Sequence, residues 1–224
     1  MAVYDLQEQE QLDELKTWWQ LHGNLVTGVI LAAAIGAAGW QGWNWWKRSQ
    51  TAEATAIYGG LQQAAAAHDA KRIRELEGEL IDKYGGTPYA AMGALLSAKI
   101  QADAGDLKNA RAQLAWAAEH GADDALRDLA RLRLAGILAD DNGADEALRL
   151  LATEPVAPLA ARYADLRGDI LAAQGKAAEA RAAYEAALAK IDAERSGDAL
   201  LDQRRSGYRD VLRIKLEALG GTAK

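Results

Sequence analysis

The sequence predicts an all-α protein: one N-terminal transmembrane helix followed by a solenoid of helical hairpins. Three observations carry this. No charged residue falls between Gly23 and Trp46. From Arg48 onward Ala, Leu, Glu, Arg and Lys dominate, all good helix formers, and no run of alternating β-branched residues suggests a strand. Short breaks, most of them containing glycine, cut this second part into segments of ordinary helix length, and the breaks recur periodically.

Residues 1–24 form a tail with five acids (Asp5, Glu8, Glu10, Asp13, Glu14) against Lys16. Leu12, Leu15, Trp18, Trp19 and His22 recur at helical spacing. They predict a short amphipathic helix over 5–22, ended by a break at Gly23-Asn24. Such a pattern suits a helix lying on lipid headgroups; docking of a partner is the alternative.

Residues 25–46 are the predicted span. As a helix they rise roughly 33 Å, just more than the hydrocarbon core of about 30 Å. A cleaved secretory signal is the rival, but it calls for a short basic leader, and this leader is long and acidic. Trp40, Trp43, Trp45 and Trp46, followed by Lys47 and Arg48, are what holds a helix end at the water boundary. Gly28, Ala32, Gly36 and Gly39 place small residues on one face, the pattern that lets two membrane helices approach closely.

Residues 47–224 are the predicted repeat domain with a C-terminal capping helix. After Arg48 this part has 27 acids (32 less five) and 23 bases (26 less three), a net charge of −4. That mixed, mildly acidic balance argues against nucleic acid as a partner. With no cysteine there are no disulfides and no thiolate metal sites. Lys16 on one side of the span and Lys47 with Arg48 on the other leave a margin of one charge, which read literally puts the repeat domain inside.

Breaks are expected at 68–69, 84–88, 104–106, 119–121, 140–143, 154–155, 174–175 and 195–197. Two hairpins share a pattern: a small turn residue, alanine five later, a bulky residue four further, alanine three further. These are Gly105, Ala110, Leu114 and Ala117, then Gly175, Ala180, Tyr184 and Ala187. A central copy has Asn142, Ala147 and Leu151, with Glu154 in place of the last alanine. Ala110, Ala147 and Ala180 lie 37 and 33 apart, close to the period of about 34 of the tetratricopeptide repeat. Ala98, Ala135 and Gly168, seven before each turn residue, let the two helices of a hairpin cross closely. Residues 51–84 are read as a more divergent first pair. Residues 198–219, with Leu200, Leu201, Val211, Leu212, Leu216 and Leu219, are read as a closing helix with one polar face.

No catalytic constellation emerges. His22, His68 and His120 have no partner at metal-ligand spacing, and the serines sit in no nucleophile elbow. Asp123-Asp124 and Asp140-Asp141 are explained by caps and turns. No enzyme activity, cofactor or metal is expected. Binding remains, on a concave face lined by the first helix of each pair. The repeat register puts Met92, Leu95 and Lys99 there, then Leu129, Leu132 and Gly136, then Arg162, Asp165 and Asp169. Such a face is apolar at one end, charged at the other, and suited to a peptide segment.

The order of parts adds a resemblance. An acidic leader, a span closing in GWQGWNWWKRS, then TAEATAIYGGL, YGGTPYAAMGALLSAKI and degenerate repeats resembles the YfgM-like ancillary subunits of the bacterial Sec translocon over nearly the whole chain. Residues 84–90 and the run into Ala98-Lys99 are its most specific parts. The resemblance implies an inner-membrane protein with its N-terminus in the cytoplasm and its repeats in the periplasm. It implies partners: the SecYEG channel, a PpiD-like membrane-anchored periplasmic chaperone, and secretory polypeptides passed between them. It implies no enzymatic activity. The implied topology opposes the one-charge margin, which is too small to set orientation. A membrane-tethered scaffold, or a regulator that sequesters a signalling factor, is the alternative function.

Overall fold

The computed structural model describes residues 3–193 and 199–220, with side chains described outside 3–15, 199–201 and 204. The expected break at 195–197 and Leu12, Leu15, Leu200 and Leu201 as side chains lie outside the described residues. Nine helices occur among them: α1 (Val3–Ala66), α2 (Ala70–Tyr84), α3 (Pro88–Asp103), α4 (Leu107–His120), α5 (Asp124–Asp140), α6 (Ala144–Leu150), α7 (Ala157–Ala173), α8 (Ala177–Ala193) and α9 (Ala199–Ala218). The chain divides into two compact units, Met1–Gln50 and Thr51–Lys224.

In the first unit the helix does not stop at Gly23-Asn24. Gly23 is buried beneath the indole of Trp19, where an added Cβ would come within 3.2 Å of the ring. Thr27 Oγ1 donates to the Gly23 carbonyl at 2.8 Å. Ring cover offsets the helix cost of glycine, about 1 kcal/mol, so this glycine is a packing position and no breaker. Further along, Leu25, Val29, Ile30, Leu31, Ile35, Trp40, Trp43, Trp45 and Trp46 each expose half or more of their surface. A core helix would hide these side chains. This is one helix long and apolar enough to cross a membrane. At its far end the Lys47 ammonium lies 5.6 Å from the centre of the Trp43 ring.

The second unit is a series of helical hairpins. The last turns of α1 supply Ala54, Leu61 and Ala64, which pack with Ile73, Leu76 and Leu80 of α2 and Ala90 of α3. The pairs α3/α4, α5/α6 and α7/α8 follow, and α9 packs on α8. The three turn residues expected from the sequence all have positive φ: Gly105 (83°), Asn142 (60°) and Gly175 (74°). A fourth, His68 (55°), occupies the same place between α1 and α2. Each turn closes with a bond from the following amide to the carbonyl five residues back. These are Asp69 to Ala64 (3.0 Å), Asp106 to Gln101 (2.8 Å), Gly143 to Leu138 (2.7 Å) and Lys176 to Leu171 (2.9 Å), as in a Schellman cap. Asp69, Asp106 and Asp123 then cap the next helix by accepting from the amides of Arg72, Asn109 and Leu126.

The central repeat is irregular where the sequence departed from pattern at Glu154. Its second helix, α6, has only seven residues and ends before Leu151. The loop to α7 is pinned instead by Asp128, buried on α5. Its Oδ2 accepts from the Val156 amide at 2.8 Å, its Oδ1 from Arg131 at 2.6 Å, and its carbonyl from the Tyr163 hydroxyl at 2.8 Å. Ala98, Ala135 and Gly168 are all buried, as hairpin crossing requires. At Gly168 the crossing is tightest: an added Cβ would lie 2.4 Å from the Tyr184 ring.

Candidate functional site

The first helix of each hairpin (α3, α5, α7) carries the residues that sequence register assigned to a concave face. The structure distributes them unevenly. Met92, Leu129 and Leu132 are half-buried, and both leucines lean on the main core. Leu95 is a correction: at 5% exposure it belongs to that core, because α3 is buried along most of its length between α2, α4 and α5. Lys99 is exposed and pairs with Asp103 one turn on.

Two clefts follow one another along these helices. One, of about 420 Å³ between α3 and α5, is lined by Lys99, Asp103, Arg133, Gly136 and Asp140 among others. The next, of about 490 Å³ between α5 and α7, again has Gly136 and Asp140, with Asp169 on its other wall. Lys99 and Gly136 are thus brought to one cleft, and Gly136 and Asp169 to the next. Gly136 has nothing within 4 Å of an added Cβ, so it keeps this path open.

The two aspartates of the expected face are engaged by the chain itself. Lys215 of α9 donates to Asp165 (2.7 Å) and to both carboxylate oxygens of Asp169 (2.7 and 2.8 Å). The Tyr208 hydroxyl donates to Asp165 at 2.8 Å and the Tyr184 hydroxyl to Asp169 at 2.8 Å. Arg162 lies over the Tyr208 ring at 5.8 Å. The two carboxylates raise the Lys215 pKa against an opposing effect of burial. Burial first, then the carboxylates they bond, raise the pKa of Tyr208 and Tyr184 as well, so all three donors stay protonated at neutral pH. Asp165 and Asp169 therefore serve first as the seat of α9.

Of the described apolar residues expected in the closing helix, Leu219 packs on the core with the two buried leucines below, and Val211 is the one left outside. Leu212 and Leu216 are buried, but Val211 is 46% and Ile214 64% exposed. Leu212, Leu216 and the Lys215–aspartate contacts set the side of α9 that packs. In the span, Gly28, Ala32, Gly36 and Gly39 are all exposed, and the three glycines have nothing within 4 Å of an added Cβ. Among the described residues no group of three or more His, Cys, Asp or Glu is placed to hold a metal ion.

Comparison with known proteins agrees with this architecture. The family model described as "Tetratricopeptide repeat-like domain" matches residues 16–221. Three relatives bear the name "Ancillary SecYEG translocon subunit". The protein of Neisseria gonorrhoeae is 28% identical over 98% of this chain and 100% of its own length. That of Haemophilus influenzae is 28% identical over 90% and 95%, and that of Escherichia coli K12 30% over 84% and 90%.

Proposed function

We propose, on the premise that this chain belongs to the tetratricopeptide repeat-like family of ancillary SecYEG translocon subunits, that it holds a protein-binding repeat domain beside the Sec translocon. The observation that carries the reading is one chain combining an outward-apolar, Trp-flanked helix of spanning length with an array of helical hairpins. A helix of that kind is stable in lipid, where its backbone is satisfied internally. Its small-residue face of Gly28, Ala32, Gly36 and Gly39 suits close contact with a translocon helix.

In this reading the N-terminus is cytoplasmic and the repeats face the periplasm. The clefts running past Lys99, Gly136 and Asp169, together with the half-buried Met92, Leu129 and Leu132 on the same helices, take polypeptide segments. These come from secretory chains or from a PpiD-like membrane-anchored chaperone, and the domain helps pass the former to the latter. Mixed charge and open, shallow clefts suit transient contacts with many sequences more than one tight ligand.

Photo-crosslinkers placed at Gly36 in the span and at Lys99 and Arg133 in the clefts test this in cells. The span position is expected to capture a translocon subunit, and the cleft positions secretory chains or a chaperone. Capture of none of these from any position sinks the proposal. Orientation is tested separately in spheroplasts. External protease is expected to digest the repeat domain, and survival until lysis reverses the topology.

A further inference from the structure

A second feature lies on the opposite edge of the hairpins, between the second helices α2 and α4. A cleft of about 350 Å³ opens there over the C-terminal half of α3, with Ile73, Ile81 and Ile100 among its walls. Glu77 lines it from α2 and Gln101 from α3. Glu77 is only 3% exposed. The nearest donors form a chain: Gln101 Nε2 donates to Ser97 Oγ at 3.0 Å, and Ser97 Oγ donates to Glu77 Oε2 at 2.6 Å. That leaves Glu77 Oε1 and Gln101 Oε1 buried and without a donor. Two orphaned acceptors in one cleft are an unusual cost in a folded protein and call for a donor.

We propose that this cleft is a binding site for a primary alkylammonium group, supplied as a lysine side chain of a partner protein. An ammonium carries three N–H donors and no acceptor, which is the complement of two bare acceptor oxygens. Its thin aliphatic stem suits isoleucine walls. A hydroxyl would bring a further acceptor, and a carboxylate or phosphate would be repelled by Glu77. The surroundings supply no charge that already satisfies the site. Arg74 of α2 lines the cleft and its charge acts on Asp106, the cap of α4, while Glu77 feels burial and the Ser97 hydrogen bond. Asn109 and Gln113 of α4 and Ser97 and Gln101 of α3 are neutral. The last turns of α1 present Ala54, Leu61 and Ala64. Burial outweighs the Ser97 hydrogen bond and pushes the Glu77 carboxyl up to about 7. An arriving cation draws that proton off, so binding strengthens as pH rises through this value.

The test uses the full chain in detergent, with carboxyl-labelled glutamate followed by carbon NMR and n-butylammonium chloride as the probe. The Glu77 signal is expected to shift saturably, with tighter binding above about pH 7 than below it. Tetramethylammonium, a cation without donors, is expected to produce no such shift. Glu77→Gln, checked for native circular dichroism, is expected to abolish the parallel response of the Gln101 side-chain amide. The proposal is overturned if the signal follows pH alone, which means a water-filled cleft. It is overturned equally if tetramethylammonium acts as well as butylammonium, or if Gln101 responds unchanged in Glu77→Gln. Binding that appears only in Arg74→Ala also overturns it, since the chain's own guanidinium is then the occupant.

Discussion

In the fourth hairpin a glycine, Gly168, lies under the ring of Tyr184; in the first, the same two places hold Leu61 and Glu77. Counting from the turn residue makes the equivalence plain. Seven before His68 is Leu61, and five, nine and twelve after it are Ile73, Glu77 and Leu80, all buried. The bulk that α8 contributes through Tyr184 comes in the first hairpin from Leu61 and Leu80. Relief moves to a third helix: an added Cβ at Gly93 of α3 would lie 2.8 Å from Leu80 and 3.3 Å from Leu61. One hairpin geometry therefore accepts opposite size patterns, provided a glycine is available wherever the large side chains meet. The first hairpin also buries a carboxyl where the fourth buries a phenol bonded to Asp169. Their stabilities should respond differently to both packing and pH.

The largest expected effect breaks the fourth hairpin. Tyr184→Ala removes a ring that is 3% exposed, at a cost of about 4 kcal/mol. Gly168→Ala forces a methyl against that ring and costs about 2 kcal/mol. If the comparison is right, the two sites are coupled. Gly168→Ala combined with Tyr184→Leu recreates the alanine–leucine combination of Ala98 and Leu114. It is expected to lose less than the sum of its single changes by more than about 0.5 kcal/mol. Urea unfolding of the four proteins measures this; strict additivity would mean the ring does not depend on the bare backbone at 168.

The next effect separates the hairpins by pH. In the unfolded chain the Glu77 carboxyl titrates near 4.5, and in the folded one near 7. Between these values folding takes up a proton, so this group's contribution falls as pH rises through the window and levels off above about 7. At about 1.4 kcal/mol per unit the loss is of order 3 kcal/mol. Glu77→Gln lacks this titration. Its stability relative to the parent is expected to rise between pH 4.5 and about 7 and then stay flat. A parallel pair of pH profiles would refute the buried carboxyl.

What could be read from the sequence follows the same division. The span was legible because its length and freedom from charge need no tertiary context. Gly105, Asn142 and Gly175 were legible because positive φ selects glycine and asparagine, and Gly168 because a small residue recurs at a set distance from the turn. The first hairpin was legible only as a divergent pair, since a leucine where alanine is expected carries no signal until Gly93 is placed beside it. The break at Gly23 was misread because only the fold shows Trp19 covering it. Leu95 was assigned to a groove because register names a face of a helix without saying how much of that face the neighbours cover. Asp165 and Asp169 were assigned to a ligand because Lys215 and Tyr208 lie more than forty residues away, where no local pattern reaches.

The smallest effect is expected at the turns, and it has opposite signs in the two hairpins. Gly175 has φ +74°, where a Cβ crowds the following carbonyl. Gly175→Ala is expected to cost about 1 kcal/mol, although nothing lies within 4 Å of the added Cβ. His68 already carries that burden at φ 55°. Its turn is closed by Asp69 through the backbone bond to Ala64 and the side-chain cap on Arg72, and neither bond needs the imidazole. His68→Gly is therefore expected to relieve strain worth about 1 kcal/mol, less what the added freedom of the unfolded chain takes back. The net is a gain of a few tenths of a kcal/mol. Urea midpoints of the two variants at one pH above 7 compare the signs without the Glu77 titration intervening. A loss at His68→Gly as large as that at Gly175→Ala would mean the imidazole, which is exposed, contributes a contact that backbone geometry does not require.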